Sequence, residues 1–196
     1  MISFFMPGRQ GMKTTNSRGN GGQNMTETSV NREPFTEAVI RFQDCDPFGH
    51  LNNARYMDYF INAREDHLAD QYGLDIYERQ NRCETNWVVS KTKIAYLNPA
   101  VFRERVGICT RLLSYTDTAL LMEGVMTGAG SRDLKAVVWI EFRHFDLTGK
   151  RLARHPDELM ALFGKIVLPG RIQTGFDARI RQISGATHKK RPGRSR

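Results

Sequence analysis

One short segment of this sequence, residues 44–56, concentrates side chains that can do chemistry. It reads DCDPFGHLNNARY and holds two carboxylates, an imidazole, two amides and a phenol. The segment begins where a strand pattern stops and ends where a helix pattern begins. A strand-to-helix corner exposes side chains and free backbone N–H groups together. We therefore expect the reactive groups of this protein to lie here.

These residue types allow three kinds of chemistry. Asp46 can act as a nucleophile or general base, while backbone amides around residues 53–56 stabilise a developing negative charge. Cys45 and His50 could form a nucleophile–base pair, but in an extended segment Cys45 should point away from Asp46. Asp44, Asp46 and His50 could bind a metal, but no further His, Cys or Asp cluster supports this. We favour carboxylate chemistry through Asp46 with no metal and no cofactor. The competing interpretation is that Asp46 only stabilises a turn.

The elements around this segment follow from hydrophobic periodicity. Residues 35–43 alternate as a strand, and residues 54–72 carry an apolar stripe at helical spacing, with Asn52 or Asn53 as N-cap and Gly73 as the end. Further strands are predicted at 86–96, 104–115, 119–127 and 134–146, followed by a short helix that runs through Phe163. Long consecutive strands joined by short turns imply an antiparallel sheet with the helix on one face, an α+β fold.

The net charge of +8 belongs mostly to the ends of the chain. Residues 171–196 hold eight basic residues and one acidic residue, whereas residues 35–170 hold 17 basic and 18 acidic residues. We predict a disordered extension at 1–34, a folded domain at 35–165 and a basic tail at 166–196, part of which packs on the domain through Phe176, Ile180 and Ile183. The tail could contact polyanions weakly, but no nucleic-acid module is present, so no specific nucleic-acid partner is expected.

The remaining composition indicates the cellular setting. No run approaches about 18 apolar residues, so no membrane span is predicted. The chain has three cysteines, an odd number at irregular spacing, and its first residues do not resemble a signal peptide. We expect a reduced, cytoplasmic protein.

Residues 44–56, leading into a long helix with Ala63-Arg64 near its middle, resemble the hotdog-fold acyl-CoA thioesterases. The subgroup contains 4-hydroxybenzoyl-CoA thioesterase and bacterial long-chain acyl-CoA thioesterases, and Asn98-Pro99-Ala100 resembles its loop after the second strand. The resemblance covers roughly residues 35–165. It implies a long central helix wrapped by a curved five-stranded antiparallel sheet, a homodimer or homotetramer with active sites at subunit interfaces, and an acyl-CoA or acyl-carrier-protein substrate.

The resemblance also assigns the site. The second aspartate of the motif, Asp46, is the catalytic carboxylate, and we expect Gly49, His50, Asn53 and Tyr56 to bind substrate. Thiolate is a good leaving group, so one carboxylate and an oxyanion donor can suffice for thioester hydrolysis. A second branch of the fold uses a carboxylate on the long helix, which makes Glu65 a minor competitor. The alternative function is a hotdog protein that binds acyl-CoA or acyl-carrier protein without catalysis.

Overall fold

The computed structural model describes residues 30–131, 133–168 and 175–188. Most of the predicted N-terminal extension, residues 1–29, and the end of the basic tail, residues 189–196, lie outside the described residues. The helices are α1 (Tyr56–Tyr72), α2 (Ile76–Cys83), α3 (Asp157–Ile166) and α4 (Phe176–His188). The strands are β1 (Phe35–Val39), β2 (Thr85–Tyr96), β3 (Arg105–Tyr115), β4 (Ala119–Gly128), β5 (Leu134–Asp146) and β6 (Arg151–Leu152).

The strands form one antiparallel sheet that curls around α1. Its order is β1-β3-β4-β5-β2, and the two-residue β6 pairs with β5. Neighbours along the path pair antiparallel throughout, from β1 against β3 to β5 against β2. The predicted α+β class, with a long helix and a five-stranded antiparallel sheet, is therefore confirmed.

Two predicted boundaries near residues 44–56 are wrong. The first strand ends at Val39, because Phe42–Asp44 form a short 3-10 helix. The helix α1 begins two residues later than predicted, because Asn52 Oδ1 accepts a hydrogen bond from Ala54 N (3.0 Å) and closes a turn before it. The N-cap position of α1 is Arg55, which makes no side-chain cap. Gly73 ends α1 in the left-handed conformation (φ 62°), as predicted.

The core lies between α1 and the concave face of the sheet. Phe60 of α1 is fully buried and packs directly on Gly124 of β4. A Cβ at Gly124 would lie 2.5 Å from the Phe60 ring, so only glycine allows the helix to approach the sheet this closely. Tyr56 and Ala63, one turn to either side, are also buried, which confirms the predicted apolar stripe.

The opposite face of the sheet is covered in part by α4. An apolar cluster joins the helix to β4 and β5: Phe176, Ile180 and Ile183 pack on Val125, Leu134 and Val137. Beside it, Arg179 donates two hydrogen bonds to the fully buried Glu123 (2.8 and 2.9 Å). Burial alone would raise the pKa of Glu123, but the hydrogen bonds from Arg179 and Trp139 lower it. The Glu123 carboxylate is therefore ionised, and the hydrogen bonds around it compensate its buried charge.

Two buried histidines, one in β5 and one just before the start of α3, stack on each other. The rings of His144 and His155 lie 4.7 Å apart at 27° and are almost fully buried. Trp87 Nε1 donates to His155 Nε2 (2.9 Å), so that nitrogen must be unprotonated. Burial, with a smaller contribution from nearby Arg79, lowers the pKa of both histidines. Both are therefore neutral in the native protein near neutral pH.

These histidines predict acid-sensitive stability. In the unfolded chain they take up protons below about pH 6.5, whereas in the native protein they resist until a lower pH. The free energy of unfolding should therefore be constant above pH 7.5 and fall as the pH drops through 6.5, by at most about 1.4 kcal/mol per pH unit for each histidine. Urea unfolding at pH 7.5 and pH 5.5 measures the difference.

The matched variant is His155→Gln, whose side-chain oxygen can still accept from Trp87 but cannot titrate. It should show a smaller pH difference than the wild type. An equal pH difference in both proteins would exclude His155 as a source of the effect.

Candidate active site

Residues 44–52 form a small hairpin that leads into α1. Asp46 N donates to His50 O (2.7 Å), Asn52 N donates to Asp44 O (2.9 Å), and Cys45 bridges to Leu51 between these pairs. At the tip, Gly49 has a φ of 77°, a left-handed conformation that favours glycine. The chemistry-bearing segment therefore has a fixed shape rather than an open loop.

The hairpin is attached to the chain that follows β2. Leu51 N donates to Ala100 O (2.8 Å), Phe102 N donates to Gly49 O (3.0 Å), and His50 bridges to Val101. The segment 98–100, which the sequence linked to the same motif, thus supports the hairpin from the other side. The two segments of the motif, residues 44–56 and 98–100, therefore lie together at one end of the sheet.

Asp46 lies at the turn of the hairpin with its carboxylate oriented by the backbone. Its Oδ1 accepts hydrogen bonds from Phe48 N (2.9 Å) and His50 N (3.0 Å). Its Oδ2 has no hydrogen-bond partner among residues 30–131, 133–168 and 175–188, and the residue is only half-buried. One oxygen is held in place and the other is available to a reactant.

Asp44 joins the hairpin to the first turns of α1. The Tyr59 hydroxyl donates to Asp44 Oδ2 (2.8 Å) and accepts from Arg41 N (3.1 Å). Arg55 Nε lies 4.0 Å from Asp44 Oδ1. The helical periodicity of residues 54–72 assigns Tyr59 only to the apolar stripe, so its role in holding the hairpin was not predicted. The sequence does contain a signal for this contact: Tyr59 brings a hydroxyl to the edge of the apolar stripe, 15 residues after the Asp44 carboxylate.

Cys45 is not arranged as a nucleophile. Its thiol donates to Arg41 O (3.3 Å) and makes no hydrogen bond to His50 in the described part of the chain. Burial, followed by the charges of Asp44 and Asp46, raises the pKa of the thiol. Because the thiolate is the reactive form, this removes the Cys45–His50 alternative.

The first turn of α1 offers backbone donors. Ala54 N and Arg55 N are used within the preceding turn, the latter donating to Asn52 O (2.8 Å). Tyr56 N and Met57 N have no acceptor in the described part of the chain. These two N–H groups point along the positive end of the helix dipole, where an anion is favoured.

The other predicted site residues lie around this helix start. Tyr56 is almost fully buried, its hydroxyl accepts from Ala100 N (3.1 Å), and burial raises its pKa. Asn53 is exposed, and its backbone oxygen accepts from the Tyr96 hydroxyl (2.9 Å). Gly49 and His50 stand at the hairpin tip with Asp46. Tyr56 therefore holds the site together from the core, whereas Asn53 and His50 lie nearer the surface.

Glu65 stands apart from the hairpin. It follows Tyr56 by nine residues, about 14 Å along a helix. It pairs with Arg64 (2.6 Å), and burial raises its pKa. Asp46 and Glu65 of one chain are therefore not arranged to act on one carbonyl.

No group of three His, Cys, Asp or Glu side chains among the described residues could hold a metal ion. None of the described helices combines the length and apolarity needed to cross a membrane.

A long helix held in a curled antiparallel sheet, with a polar hairpin at the helix start, defines the class of hotdog-fold proteins. The chain belongs to the thioesterase-like superfamily, whose family model matches residues 40–163. The predicted family and the predicted enzyme class, a thioester hydrolase, are thereby confirmed.

Known relatives agree with this assignment. The long-chain acyl-CoA thioesterase FadM of Escherichia coli (strain K12) is 29% identical over 119 residues, which are 60% of this chain and 88% of the relative. The crystal structure of YbaW, a probable thioesterase from Escherichia coli, is 25% identical with a TM-score of 0.59 and covers 68% of this chain and 98% of that one. Slr0204, a 1,4-dihydroxy-2-naphthoyl-CoA thioesterase from Synechocystis, has a TM-score of 0.62 at 15% identity, over 68% of this chain and 95% of that one, a likeness of fold alone.

The hydrogen bonds to Asp46 predict a difference between two substitutions. Asp46→Asn keeps an oxygen that can accept from Phe48 N and His50 N, so its free energy of unfolding should stay within about 0.5 kcal/mol of the wild type. Asp46→Ala leaves both amides without that acceptor and should lower it by about 1–2 kcal/mol. Urea unfolding of the three proteins checks this. Equal stability of the Ala variant and the wild type would show that the carboxylate does not hold the turn.

Proposed function

We propose that this protein hydrolyses acyl-CoA thioesters and that Asp46 is the catalytic carboxylate. The observation that carries the proposal is the state of Asp46, with Oδ1 held by two backbone amides and Oδ2 without a described partner. Membership of the thioesterase-like superfamily and the similarity to FadM, a long-chain acyl-CoA thioesterase, support the substrate class.

Asp46 can act in two ways on the thioester. As a nucleophile, Oδ2 attacks the carbonyl carbon, the C–S bond breaks, and water then hydrolyses the mixed anhydride. As a general base, Oδ2 takes a proton from the water that attacks the same carbon. In both cases a carboxylic acid and CoA thiol are released. The fixed Oδ1 limits rotation of the carboxylate, which keeps Oδ2 in one position for either role.

The start of α1 supplies the second requirement, a site for the negative charge that develops on the carbonyl oxygen. We assign this role to Tyr56 N and Met57 N, which have no other acceptor among the described residues. Losing one such donor typically costs about 10²–10³ in rate. In this proposal His50 and Asn53 bind the pantetheine amides, and Gly49 lets the backbone approach the thioester.

The contact between Asp44 and Tyr59 positions these two parts. It links the hairpin that carries Asp46 to the helix that carries the free amides. In this proposal the contact also holds the hairpin turn that carries Asp46 beside the start of α1. Tyr59 and Asp44 are therefore positioning residues in this proposal.

The edge strand β2 is the surface through which we propose that two copies assemble. It pairs on one side only, with β5, among the described strands. Val88 and Val89 are adjacent, so their side chains point to opposite faces of the sheet. Both are nevertheless exposed, by 41% and 51%. An open edge of twelve residues that carries two exposed valines favours pairing with a second strand. A dimer formed there is the unit of any larger assembly.

The catalytic proposal predicts the effect of Asp46→Asn. With an acyl-CoA panel of varied chain length, including an aromatic member, thiol release by the wild type should fall by at least about 100-fold in this variant, because Asn is neither a nucleophile nor a base here. Circular dichroism should show an unchanged fold. Asp58→Asn, which changes an exposed carboxylate in the first turn of α1, is the matched control and should keep its rate.

Three results would contradict the proposal. Full activity of Asp46→Asn removes Asp46 from the mechanism, and a large loss in Glu65→Gln with none in Asp46→Asn moves it to the helix. Binding of acyl-CoA by the wild type without turnover would favour a non-catalytic binding protein.

The assembly proposal predicts a dimer in solution. Light scattering after gel filtration should give twice the mass of the chain. The double variant Val88→Lys, Val89→Lys should shift toward monomer, because two charges on the edge oppose strand pairing. Tyr77→Lys changes a still more exposed apolar residue, on α2, and should leave the mass unchanged. A monomeric wild type would refute the assembly.

A further inference from the structure

A cavity lies between the second half of α1 and the concave face of the sheet. Arg64 and His67 of α1 line it together with the apolar side chains of Leu112, Met122 and Phe163. No residue of the Asp46 hairpin lines it. Arg64 stands about 12 Å along the helix from Tyr56, so the cavity is distinct from the proposed catalytic site.

Arg64 is a buried cation with little compensation. It is only 7% exposed, and its guanidinium carbon lies 4.2 Å from the centre of the Phe142 ring. It donates to Glu65 Oε1, a neighbour that is itself partly exposed. No other acceptor for its donors is found in the described part of the chain. A buried guanidinium with one peripheral carboxylate costs solvation energy that a second anion would offset.

His67 brings a second polar group to the same wall. It is 5% exposed, and its Nδ1 lies 2.8 Å from Thr110 Oγ1. Its buried Nε2 has no partner among residues 30–131, 133–168 and 175–188. Burial lowers its pKa, so the ring is neutral near pH 7. When the Thr110 hydroxyl donates to Nδ1, the proton of the neutral ring is on Nε2, which is then a donor.

The two groups lie on one face of α1, at positions i and i+3. A guanidinium and an N–H donor side by side suit a carboxylate, which accepts from both. The apolar wall opposite them suits a short hydrocarbon chain. A small inorganic anion would leave that wall unused, and a neutral hydrocarbon would leave Arg64 uncompensated.

We propose that this cavity binds a carboxylate carried on a short apolar chain, with the carboxylate at Arg64 and His67 Nε2 and the chain against Leu112, Met122 and Phe163. Two sources have this chemistry. One is the free acid that the proposed hydrolysis releases, which would make the cavity a product site. The other is an acyl-CoA whose acyl group ends in a second carboxylate. The choice between these two sources rests on the proposed function, whereas the carboxylate site itself does not.

Calorimetric titration of the full chain tests binding directly. Sodium hexanoate should bind, whereas 1-hexanol and sodium sulfate should bind at least about tenfold more weakly. Arg64→Met and His67→Leu should each weaken hexanoate binding by at least about tenfold, and Arg82→Met, an exposed arginine on α2, should not. Equal binding of hexanoate and hexanol, or equal affinity in the wild type and Arg64→Met, would overturn the proposal, as would no binding of hexanoate by the wild type.

A second measurement protects against a variant that does not fold. In the ¹⁵N NMR spectrum of the imidazoles of the wild type, saturating hexanoate should move the Nε2 signal of His67 and leave that of His50 in place. No movement of the His67 signal at a concentration that saturates the calorimetric signal would overturn the placement.

Kinetics then distinguish the sources. If the acyl group supplies the carboxylate, Arg64→Met lowers kcat/KM for adipoyl-CoA at least about tenfold more than for hexanoyl-CoA. If the free acid is the ligand, hexanoate inhibits the wild type, the variant resists it, and the two substrates are affected alike. If no acyl-CoA of the panel is hydrolysed, the proposed function fails while the titration still decides the carboxylate site.

Discussion

The contact between Phe60 and Gly124 sets the position of everything else in this protein. A long helix can lie in a curled sheet at many heights and rotations, but a ring placed where a strand has no side chain allows only one. With Phe60 fixed, Tyr56 one turn earlier reaches Ala100 N, and Tyr59 reaches Asp44. The hairpin that carries Asp46 is thus oriented by packing that contains no reactive group.

The same contact divides α1 into two working halves. The first half begins with the free backbone amides of Tyr56 and Met57, which lie beside the hairpin, and it faces the loop after β2. The second half carries Arg64 and His67 over an apolar wall, where polar groups are costly unless something pairs with them. The helix α1 thus presents backbone hydrogen-bond donors at its N-terminus and side-chain donors along one face. The fully buried Phe60 separates the two regions, so a change in one need not disturb the other.

Much of this arrangement was predictable because it follows from local periodicity. Alternation placed the later strands to within one residue, and the helical stripe of α1 from Tyr56 to Leu68 is buried or half-buried as expected. The concentration of residue types at 44–56 correctly indicated one structural unit. The side-chain use within that unit was not predictable, since Asn52 closes a turn before the helix instead of capping it.

Long-range polar contacts were the main omission. Arg179 was counted with the solvated charges of the tail, yet it binds a carboxylate 56 residues away. His144 lies in a predicted strand, but its stacking on His155, which lies beyond a turn and β6, was not predicted. Such pairs have no period in sequence, because they depend on which strands and helices meet. Only the side-chain spacing within one element is encoded locally.

The position of α4 has a practical consequence for anyone who shortens this chain. The segment that the family model matches ends at residue 163, before α4 begins. A protein cut there would leave the apolar surface of Val125, Leu134 and Val137 bare and would remove one of the two arginines that pair with Glu123 in the sheet, leaving Arg111 alone. The region shared with other thioesterases would therefore lack a cover that this chain supplies for itself, and a low yield of such a fragment would reflect that missing cover rather than a defective enzyme.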